Sequence, residues 1–162
     1  MATLHFTCGR AGAGKTTLAR ELGRQLSAVV ICEDEWISHI ADPVHSLGEY
    51  LNAARHVRQV LAPHVIALLR LGVSVVFDFA GNTPQDRLWV KFIFDSAGAG
   101  HTLHYLPLDE ETCRARVRQR NEAKPPGVFF GEVTPAQLDQ VNKYFVPPAA
   151  DEGFIVVRHE SR

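Results

Sequence analysis

The sequence predicts an α/β fold in which helices cover both faces of a parallel β-sheet. Short apolar runs of strand length alternate along the chain with longer helical stretches, which is the pattern of parallel strands joined by crossover helices. The run Val73–Phe79 is apolar on both faces, as strands buried from two sides are. With 162 residues, of which 46% are apolar and 22% charged, the chain suits one three-layer α/β/α domain over residues 1–162.

The apolar runs place five strands. Each run is short enough for a strand, and the β-branched residues of Val73–Phe79 strengthen that assignment. The predicted strands are Thr3–Cys8, Ala28–Cys32, Val73–Phe79, His101–Leu106 and Phe154–Val157.

Helical spacing and capping signals place the helices between these strands. Leu18, Leu22 and Leu26 form one apolar stripe. Thr83-Pro84 has the order of a helix start, and Thr134-Pro135-Ala136-Gln137 forms a capping box. The predicted helices are Lys15–Leu26, Trp36–Ile40, Ser46–Leu71 (broken or kinked at Pro63), Thr83–Gly98, Asp109–Asn121, and Thr134 to about Phe145.

Composition excludes several classes of protein. The net charge of −1 provides no bulk positive field for nucleic acid or an anionic membrane. The thirteen arginines against four lysines suit phosphate recognition, although a GC-rich genome would produce the same bias. Cys8, Cys32 and Cys113 are scattered without CxxC spacing, so we expect reduced thiols and a cytoplasmic protein. No apolar run approaches the length of about eighteen residues that a membrane span needs.

One segment carries a specific motif for phosphate binding. The residues from Gly9 to Thr16 match GxxxxGK[ST], and they lie between a predicted strand and an amphipathic helix, as this motif requires. Its glycines let backbone N–H groups turn toward phosphate oxygens, and the helix N-terminus adds its positive end. The predicted triphosphate-binding residues are Gly9, Arg10, Ala11, Gly12, Ala13, Gly14, Lys15, Thr16 and Thr17.

Three of these residues have particular roles. We expect Lys15 to bridge the β- and γ-phosphates and the Thr16 hydroxyl to be a Mg²⁺ ligand. Thr17 is expected to reach the α-phosphate. The alternative, a glycine-rich turn with a solvated lysine, would not explain the strand and helix on either side.

Two carboxylates follow strands and are candidates for the same site. Asp78 ends the apolar run that begins at Val73, where ligands of open α/β sheets bind, so it is the candidate Walker B acid and second Mg²⁺ ligand. Asp34 follows Cys32 and is the candidate base for an acceptor hydroxyl. The alternative for Asp78 is that it caps the next turn. The alternative for Glu33, Asp34 and Glu35 is that they begin a helix and interact favourably with its dipole.

The arginines of Asp109–Asn121 divide between two helix faces. Cys113 and Val117 define the apolar stripe, and Arg116 and Arg120 lie near it at about 100° per residue, whereas Arg114 and Arg118 face water. A cation at the edge of a covered stripe favours an anion, and the triphosphate is the obvious one. The loop Asn121–Thr134, which contains Lys124, is predicted to close over the nucleotide.

Histidines and tryptophans carry weaker signals. The eight histidines have no metal-ligand spacing, and His101 and His104 lie on opposite faces of one strand. Trp36 follows the acidic segment, so a substrate wall is the alternative to packing.

With these residues identified, the chain resembles the adenylate-kinase-like P-loop kinases, and most closely the bacterial AAA_33 type allied to the 5′-kinase domain of polynucleotide kinases. The resemblance covers nearly the whole chain. It implies a P-loop NTPase fold with five parallel strands in the order 2-3-1-4-5, a short lid at about 121–134, and ATP with Mg²⁺ as cofactors. Cys32-Glu33-Asp34-Glu35-Trp36 matches the segment of the base, which points to Asp34.

Further matches concern the acceptor and the lid. Asp78, Asn82 and Arg87 are similar to a D-x-x-N…R segment of substrate or metal contacts. Arg120-Asn121 resembles the start of the lid, and Lys124 falls at a second lid position. Polynucleotide kinases have an arginine three residues beyond the base, where this chain has Ile37.

The leading hypothesis is therefore transfer of the ATP γ-phosphate to a hydroxyl of a small molecule by a monomer or homodimer, with Lys15, Asp34 and Arg120 as catalytic residues. A polynucleotide 5′-hydroxyl kinase is the less favoured alternative, because Ile37 and the net charge argue against nucleic acid. A nucleotide-binding switch or NTPase without an acceptor is the third. A GTPase is disfavoured because Asn142-Lys143-Tyr144-Phe145 lacks the aspartate of N-K-x-D.

Overall fold

The computed structural model describes residues 1–79 and 81–160 of the chain. It contains a sheet of five strands, all parallel, in the order β2-β3-β1-β4-β5. The strands are β1 (Thr3–Cys8), β2 (Val29–Cys32), β3 (Val75–Asp78), β4 (Gly100–Tyr105) and β5 (Val156–Arg158). The predicted fold class and the strand order implied by the resemblance are confirmed.

The helices follow the strands in the predicted order. They are α1 (Lys15–Leu26), α2 (Glu33–Ile40), α3 (Leu47–Arg70), α4 (Pro84–Ala97), α5 (Glu110–Ala123) and α6 (Pro135–Lys143), with a short 3-10 helix at Ala150–Glu152. Side-chain oxygens cap several of them; Ser46, for example, accepts from the Glu49 N–H at the start of α3. The predicted capping box at Thr134 and Gln137 is present at the start of α6.

Different helices cover the two faces of the sheet. Phe6, Phe77 and Ile31 lie side by side in register across β1, β3 and β2, and they join one core cluster with apolar residues of α3 and α4. The neighbouring residue Val30 points the other way, toward α1, because a Cβ added at Gly23 would lie 2.2 Å from Val30 Cγ2. Since side chains alternate between the faces of a strand, this arrangement is the three-layer α/β/α fold.

Two helices differ from the predictions. Helix α3 runs for 24 residues through Pro63, so of the predicted break or kink, the break is wrong. A proline inside a helix costs about 3 kcal/mol, and the burial of Leu61 and Val65 on either side offsets that cost. Helix α2 begins at Glu33 instead of Trp36.

The early start of α2 determines where its acids lie. Glu33, Asp34 and Glu35 form the first turn of the helix, where negative side chains favour the positive end of the dipole. The acids therefore begin this helix. Because β2 ends at Cys32, the turn lies at the carboxyl edge of the sheet. Within the described residues, no helix is both long and apolar enough to cross a membrane.

Candidate active site

The loop between β1 and α1 is a tight backbone cradle. Gly12 and Gly14 have φ of 86° and 98°, in the left-handed region that side chains disfavour. At Gly12 a Cβ would also lie 2.5 Å from the carbonyl oxygen of Cys113. The loop is thus pressed against α5, so the arginine-bearing helix and the phosphate motif form one wall.

Lys15 lies inside this cradle. Its Nζ donates hydrogen bonds to the carbonyl oxygens of Gly9 at 2.7 Å and Arg10 at 2.9 Å. Burial lowers the pKa of the ammonium, while the carboxylates of Asp78 and Asp34 oppose that shift. The ammonium is therefore held at the mouth of the loop, where a bound anion would replace the solvation that burial removes.

Thr16 and Asp78 meet across the carboxyl edge of the sheet. The Thr16 hydroxyl donates to Asp78 Oδ2 at 2.6 Å, and Asp78 is 8% exposed at the end of β3. Burial raises the pKa of Asp78, whereas the hydrogen bond from Thr16 and the charge of Lys15 lower it. A hydroxyl and a carboxylate at this distance are oxygen donors of the kind that Mg²⁺ prefers.

Asn82 holds the start of the loop. Its side chain accepts from the Gly9 N–H and donates to the Gly9 carbonyl, both at 2.9 Å. Asn82 also lines the cavity described below. The hydrogen bonds of its side chain are thus with the loop backbone.

Asp34 is held by a residue that sequence reasoning missed. The Tyr50 hydroxyl, from α3, donates to Asp34 Oδ1 at 2.8 Å and lies 3.3 Å from Glu33 Oε1. The neighbouring acids are used differently: Glu33 is 2% exposed, and Glu35 is exposed outside the cavity. Of the three acids in this turn, Asp34 is the one that combines an accessible carboxylate with a position on the cavity wall.

Glu33 forms the centre of a buried ion-pair network. Arg58 donates to both of its carboxylate oxygens, at 2.6 and 3.0 Å, and to Asp86 at 2.6 Å. Burial raises the pKa of Glu33, and Arg58 opposes this shift. The network joins α2, α3 and α4 directly behind Asp34, which gives that carboxylate a rigid support.

One cavity connects these groups. It has a volume of about 1030 Å³, which is at the upper end of the range for ligand pockets. Its wall includes the phosphate loop, Asp34, Asp78, Arg116 and Arg120, together with the first part of α3 and the segment between α5 and α6. The nucleotide-side and acceptor-side candidates therefore share one space.

The arginines of α5 separate as the helical geometry predicts. Arg116 and Arg120 line the cavity, and the buried Nε of Arg120 has no hydrogen-bond partner among the described residues. Burial lowers the pKa of Arg120, and Asp34 acts in the opposite direction. Arg114 instead pairs with Glu110 and Asp139, both at 2.6 Å.

The segment 124–133 between α5 and α6 is closed at its base. The Asn121 side chain donates to the Val133 carbonyl at 2.8 Å and accepts from the Val133 N–H at 3.2 Å. Lys124, at the C-terminal cap of α5, lies 5.9 Å from the centroid of the Phe129 ring. Lys124 is outside the cavity lining, in contrast to Val128, Phe130 and Val133 of the same segment.

The predicted site residues Gly9, Arg10, Ala13 and Trp36 are outside the cavity lining. The Arg10 guanidinium is 4.4 Å from the centroid of Phe145, although the Arg10 carbonyl accepts from Lys15. Trp36 is 39% exposed on α2, outside the cavity lining. Of the remaining loop residues, Ala11, Thr16 and Thr17 line the cavity and Ala13 is buried beneath it.

Arg87 requires a correction. Its side chain is fully buried and donates to both carboxylate oxygens of Glu152, at 2.6 and 2.8 Å, and to the carbonyls of Gly81 and Val146, both at 2.9 Å. Every one of these partners belongs to the protein itself. The expected substrate contact is therefore replaced by a structural role, in which Arg87 ties α4 to the segment that follows α6.

Three histidines that sequence reasoning left as core or surface residues form a chain. His104 Nε2 lies 3.1 Å from His5 Nδ1, and His104 Nδ1 lies 2.9 Å from His159 Nε2. The described residues contain no group of three or more potential ligands arranged to hold a metal ion. These histidines lie on the face of the sheet opposite the apolar core cluster. Side chains alternate along β1, and the neighbours of His5, Leu4 and Phe6, both belong to that cluster.

The sheet order, the glycine loop and the carboxylate at the end of β3 define a P-loop nucleotide-binding fold of the kinase-like group. The chain belongs to the AAA domain family AAA_33, whose model matches residues 4–148. This match confirms the resemblance inferred from the motifs. The sequence matches no curated protein.

Solved structures share the fold at low sequence identity. A protein of Chloroflexus aurantiacus has a TM-score of 0.75 at 16% identity, with 98% of this chain and 85% of that chain covered. A sugar kinase of a Janibacter species has a TM-score of 0.64 at 15% identity, with 98% and 86% covered. Kti12 of Chaetomium thermophilum, solved in complex with ADP-AlF3, has a TM-score of 0.69 at 15% identity, with 96% and 88% covered.

Proposed function

We propose that the protein is an ATP-dependent kinase that transfers the γ-phosphate of Mg·ATP to a hydroxyl of a small molecule. The observation that carries this proposal is the single cavity that joins the phosphate loop to Asp34. A phosphotransferase needs a triphosphate and an acceptor in one space, with a base near the acceptor oxygen. The similar folds of a sugar kinase and of an ADP-AlF3 complex agree with it.

The nucleotide half of the site rests on charge. Lys15, Arg116 and Arg120 are the cations that line the cavity among the described residues. Together with the inward N–H groups of the loop, they would hold the phosphates and balance the charge that spreads over them during transfer. The buried, unpartnered Nε of Arg120 is suited to a phosphate oxygen, because a buried donor without a partner is costly.

The Thr16 hydroxyl and the Asp78 carboxylate fit a magnesium ion. Their oxygens lie 2.6 Å apart beside Lys15, and Mg²⁺ in nucleotide sites is bound through one or two such groups together with phosphates and water. When bound, Mg²⁺ would supply charge neutralisation at the β- and γ-phosphates. The chain's own part is to orient Asp78, which the Thr16 hydrogen bond does.

The acceptor half of the site rests on Asp34. Its Oδ1 accepts from Tyr50, which leaves Oδ2 to accept the hydrogen bond of an acceptor hydroxyl. In the transfer, the acceptor oxygen forms a bond to the γ-phosphorus and the bond from that phosphorus to the β,γ-bridging oxygen breaks. The hydroxyl proton passes to Asp34 and ADP leaves, so that atoms and charge balance.

The side chains that line the acceptor side favour a small molecule over a polynucleotide. The acceptor side is lined by Ile37 of α2, Val44 of the following segment and Leu47 of α3. The resemblance places Ile37 where polynucleotide kinases have an arginine. Nucleic-acid sites need cationic side chains that track the backbone. The net charge of −1 supports the same choice.

Single-turnover transfer of labelled γ-phosphate across a library of hydroxyl compounds and a 5′-hydroxyl oligonucleotide tests the proposal. We expect transfer to at least one small acceptor, none to the oligonucleotide, and a loss of at least about a hundredfold in Asp34→Asn. Lys15→Ala should weaken Mg·ATP binding itself, whereas Asp34→Asn should preserve it. Tight Mg·ATP binding without transfer to any acceptor would instead indicate a nucleotide-binding switch.

A further inference from the structure

We propose that the acceptor is an alcohol with an apolar body and a protonated amine, and that it carries no phosphate or other anionic group. This inference rests on the proposed function, since it assigns the substrate class of the same cavity. It follows from where the described residues place cations, carboxylates and apolar side chains around that space.

The cations of the cavity all lie on its nucleotide side. Lys15 is in the phosphate loop, and Arg116 and Arg120 are on α5, which packs against that loop. A nucleoside triphosphate brings several negative charges that these three groups would bind. A second anionic compound would therefore find them already occupied.

The cation that pairs with Glu33 behind the acceptor wall is also engaged. Arg58 uses its guanidinium for Glu33 and Asp86, and its Cζ lies 5.3 Å from the centroid of the Trp89 ring. Arg58 is outside the cavity lining. Among the residues that the structure describes, α2, the segment after it and the start of α3 thus offer no cation to an acceptor phosphate.

Two further carboxylates line the cavity, one from the acceptor wall and one from the segment between α5 and α6. Asp42 lies between α2 and α3, Glu132 lies between α5 and α6, and both line the cavity together with Asp34. In the described part of the chain, the side chains of Asp42 and Glu132 form neither a hydrogen bond nor an ion pair. They come from two different walls, so their charges act on whatever occupies the space between. A cation there is attracted, and an anion is repelled by these groups and by the γ-phosphate.

Apolar side chains supply most of the remaining surface. Ile37, Val44 and Leu47 contribute from one wall, and Val128, Phe130 and Val133 from the segment opposite. Ligand pockets of this kind bury the apolar body of a compound and orient it through a few polar groups. An amino alcohol would direct its hydroxyl to Asp34 and its ammonium to Asp42 or Glu132. The ammonium takes no part in the transfer, so the bonds formed and broken are those given above.

Matched triplets of small alcohols test this assignment. One triplet is hexanol, aminohexanol and hydroxyhexyl phosphate, and a second is cyclohexanol, aminocyclohexanol and hydroxycyclohexyl phosphate. Binding is measured by titration calorimetry and ligand-observed NMR on the whole chain saturated with Mg²⁺ and the non-hydrolysable analogue AMPPNP. Within each triplet we expect the amine to bind at least about tenfold more tightly than the phosphate, because the two exposed carboxylates attract the amine and repel the phosphate.

Charge-neutralising variants locate the effect. Asp42→Asn and Glu132→Gln should each reduce the advantage of the amine by about threefold to fivefold, because each removes one attraction from an exposed carboxylate. Glu35→Gln is the matched control, since Glu35 is an exposed acid of α2 outside the cavity lining, and the advantage should persist in it.

The outcomes separate this inference from the proposed function. Equal or tighter binding of the phosphate members would overturn it, and so would the failure of every triplet member to bind a protein that still binds Mg·AMPPNP. An amine preference that is unchanged in both Asp42→Asn and Glu132→Gln would also contradict it. If the amines bind preferentially but receive no phosphate from ATP, the inference about charge stands and the proposed kinase activity fails.

Discussion

The Tyr50 hydroxyl donates a 2.8 Å hydrogen bond to Asp34 Oδ1. Tyr50 lies on α3, which begins at Leu47, whereas Asp34 follows β2, which ends at Cys32. This bond fixes one carboxylate oxygen and leaves the other facing the cavity. Burial and the charges of Asp34 and Glu33 hold the pKa of Tyr50 well above its ordinary value, so the phenol remains a donor throughout the neutral range. Tyr50 is therefore a positioning residue for the proposed base.

Replacing Tyr50 by phenylalanine should slow phosphate transfer without affecting nucleotide binding. A hydrogen bond to a charged group contributes about 1.5–3 kcal/mol, which corresponds to a loss of about ten- to a hundredfold in kcat. The Kd of Mg·ATP should be unchanged. Steady-state kinetics and titration calorimetry measure the two quantities, with Tyr144→Phe as the control because Tyr144 is 66% exposed. A wild-type kcat in Tyr50→Phe would show that Asp34 needs no such support.

Gly12 is predicted to be indispensable to the cradle. Alanine there would combine a left-handed φ of 86° with a Cβ only 2.5 Å from the Cys113 carbonyl oxygen, so the loop must move away from α5. Gly72 is a matched control, because its φ is 85° and a Cβ there has nothing within 4 Å. Both alanine variants should lose about 1 kcal/mol of stability from the backbone conformation.

The two glycine variants should differ in nucleotide binding. Gly12→Ala is expected to weaken Mg·ATP by at least about tenfold, since the inward N–H groups lose their arrangement. Gly72→Ala should keep the wild-type Kd. Calorimetric titration of both proteins makes the comparison, and equal affinities would mean that the contact between the loop and α5 has no bearing on phosphate binding.

Local patterns account for what could be predicted from the sequence. The bounds of β1 and α1 coincide with the predictions, because the GxxxxGK[ST] motif has to lie between a strand end and a helix start. The position of Asp78 followed in the same way from an apolar run that ends in an acid. The helical phase of α5 also separated Arg116 and Arg120 from Arg114, since that inference needs only the angle per residue.

Contacts between distant segments were the part that could not be predicted. Tyr50 and Arg58 reach Asp34 and Glu33 from α3, and a single sequence contains no local signal for that pairing. Arg87 is a different case, because it shares a helical stripe with Val90 and Phe94, both buried. That spacing favours a buried side chain, whereas the resemblance to a substrate-contact segment implied a contact with the acceptor.

The buried role of Arg87 predicts a loss of stability. Arg87→Met removes the partner of Glu152 and leaves two carbonyls without a donor, so we expect the free energy of unfolding to fall by about 3–5 kcal/mol. The double variant Arg87→Met/Glu152→Gln should recover part of this loss, since the unpaired carboxylate is gone. Urea denaturation measures both, and Arg24→Met, at an exposed position, should change stability by less than about 0.5 kcal/mol. A stable Arg87→Met that fails to bind its acceptor would restore the substrate-contact hypothesis.

The histidine chain makes stability depend on acidic pH. Burial, together with the neighbouring His5 and His159, lowers the pKa of His104 from 6.5 to about 4, and His104 is 5% exposed. Between those values the unfolded chain binds a proton at this position and the folded protein does not, so stability is fully present above pH 6.5 and falls as the pH drops toward 4. A shift of this size corresponds to about 3 kcal/mol.

His104→Gln should remove this contribution to the pH dependence. The variant loses two hydrogen bonds and is expected to be less stable at pH 7, but its free energy of unfolding should decline less steeply than that of the wild type between pH 6.5 and pH 4. Urea denaturation at a series of pH values gives both slopes, and the difference between them removes the contribution of titrating groups that do not contact His104. His64→Gln, which removes an exposed histidine of α3, should follow the wild-type slope. If His104→Gln followed it as well, proton binding at His104 could not be the cause of the acid sensitivity.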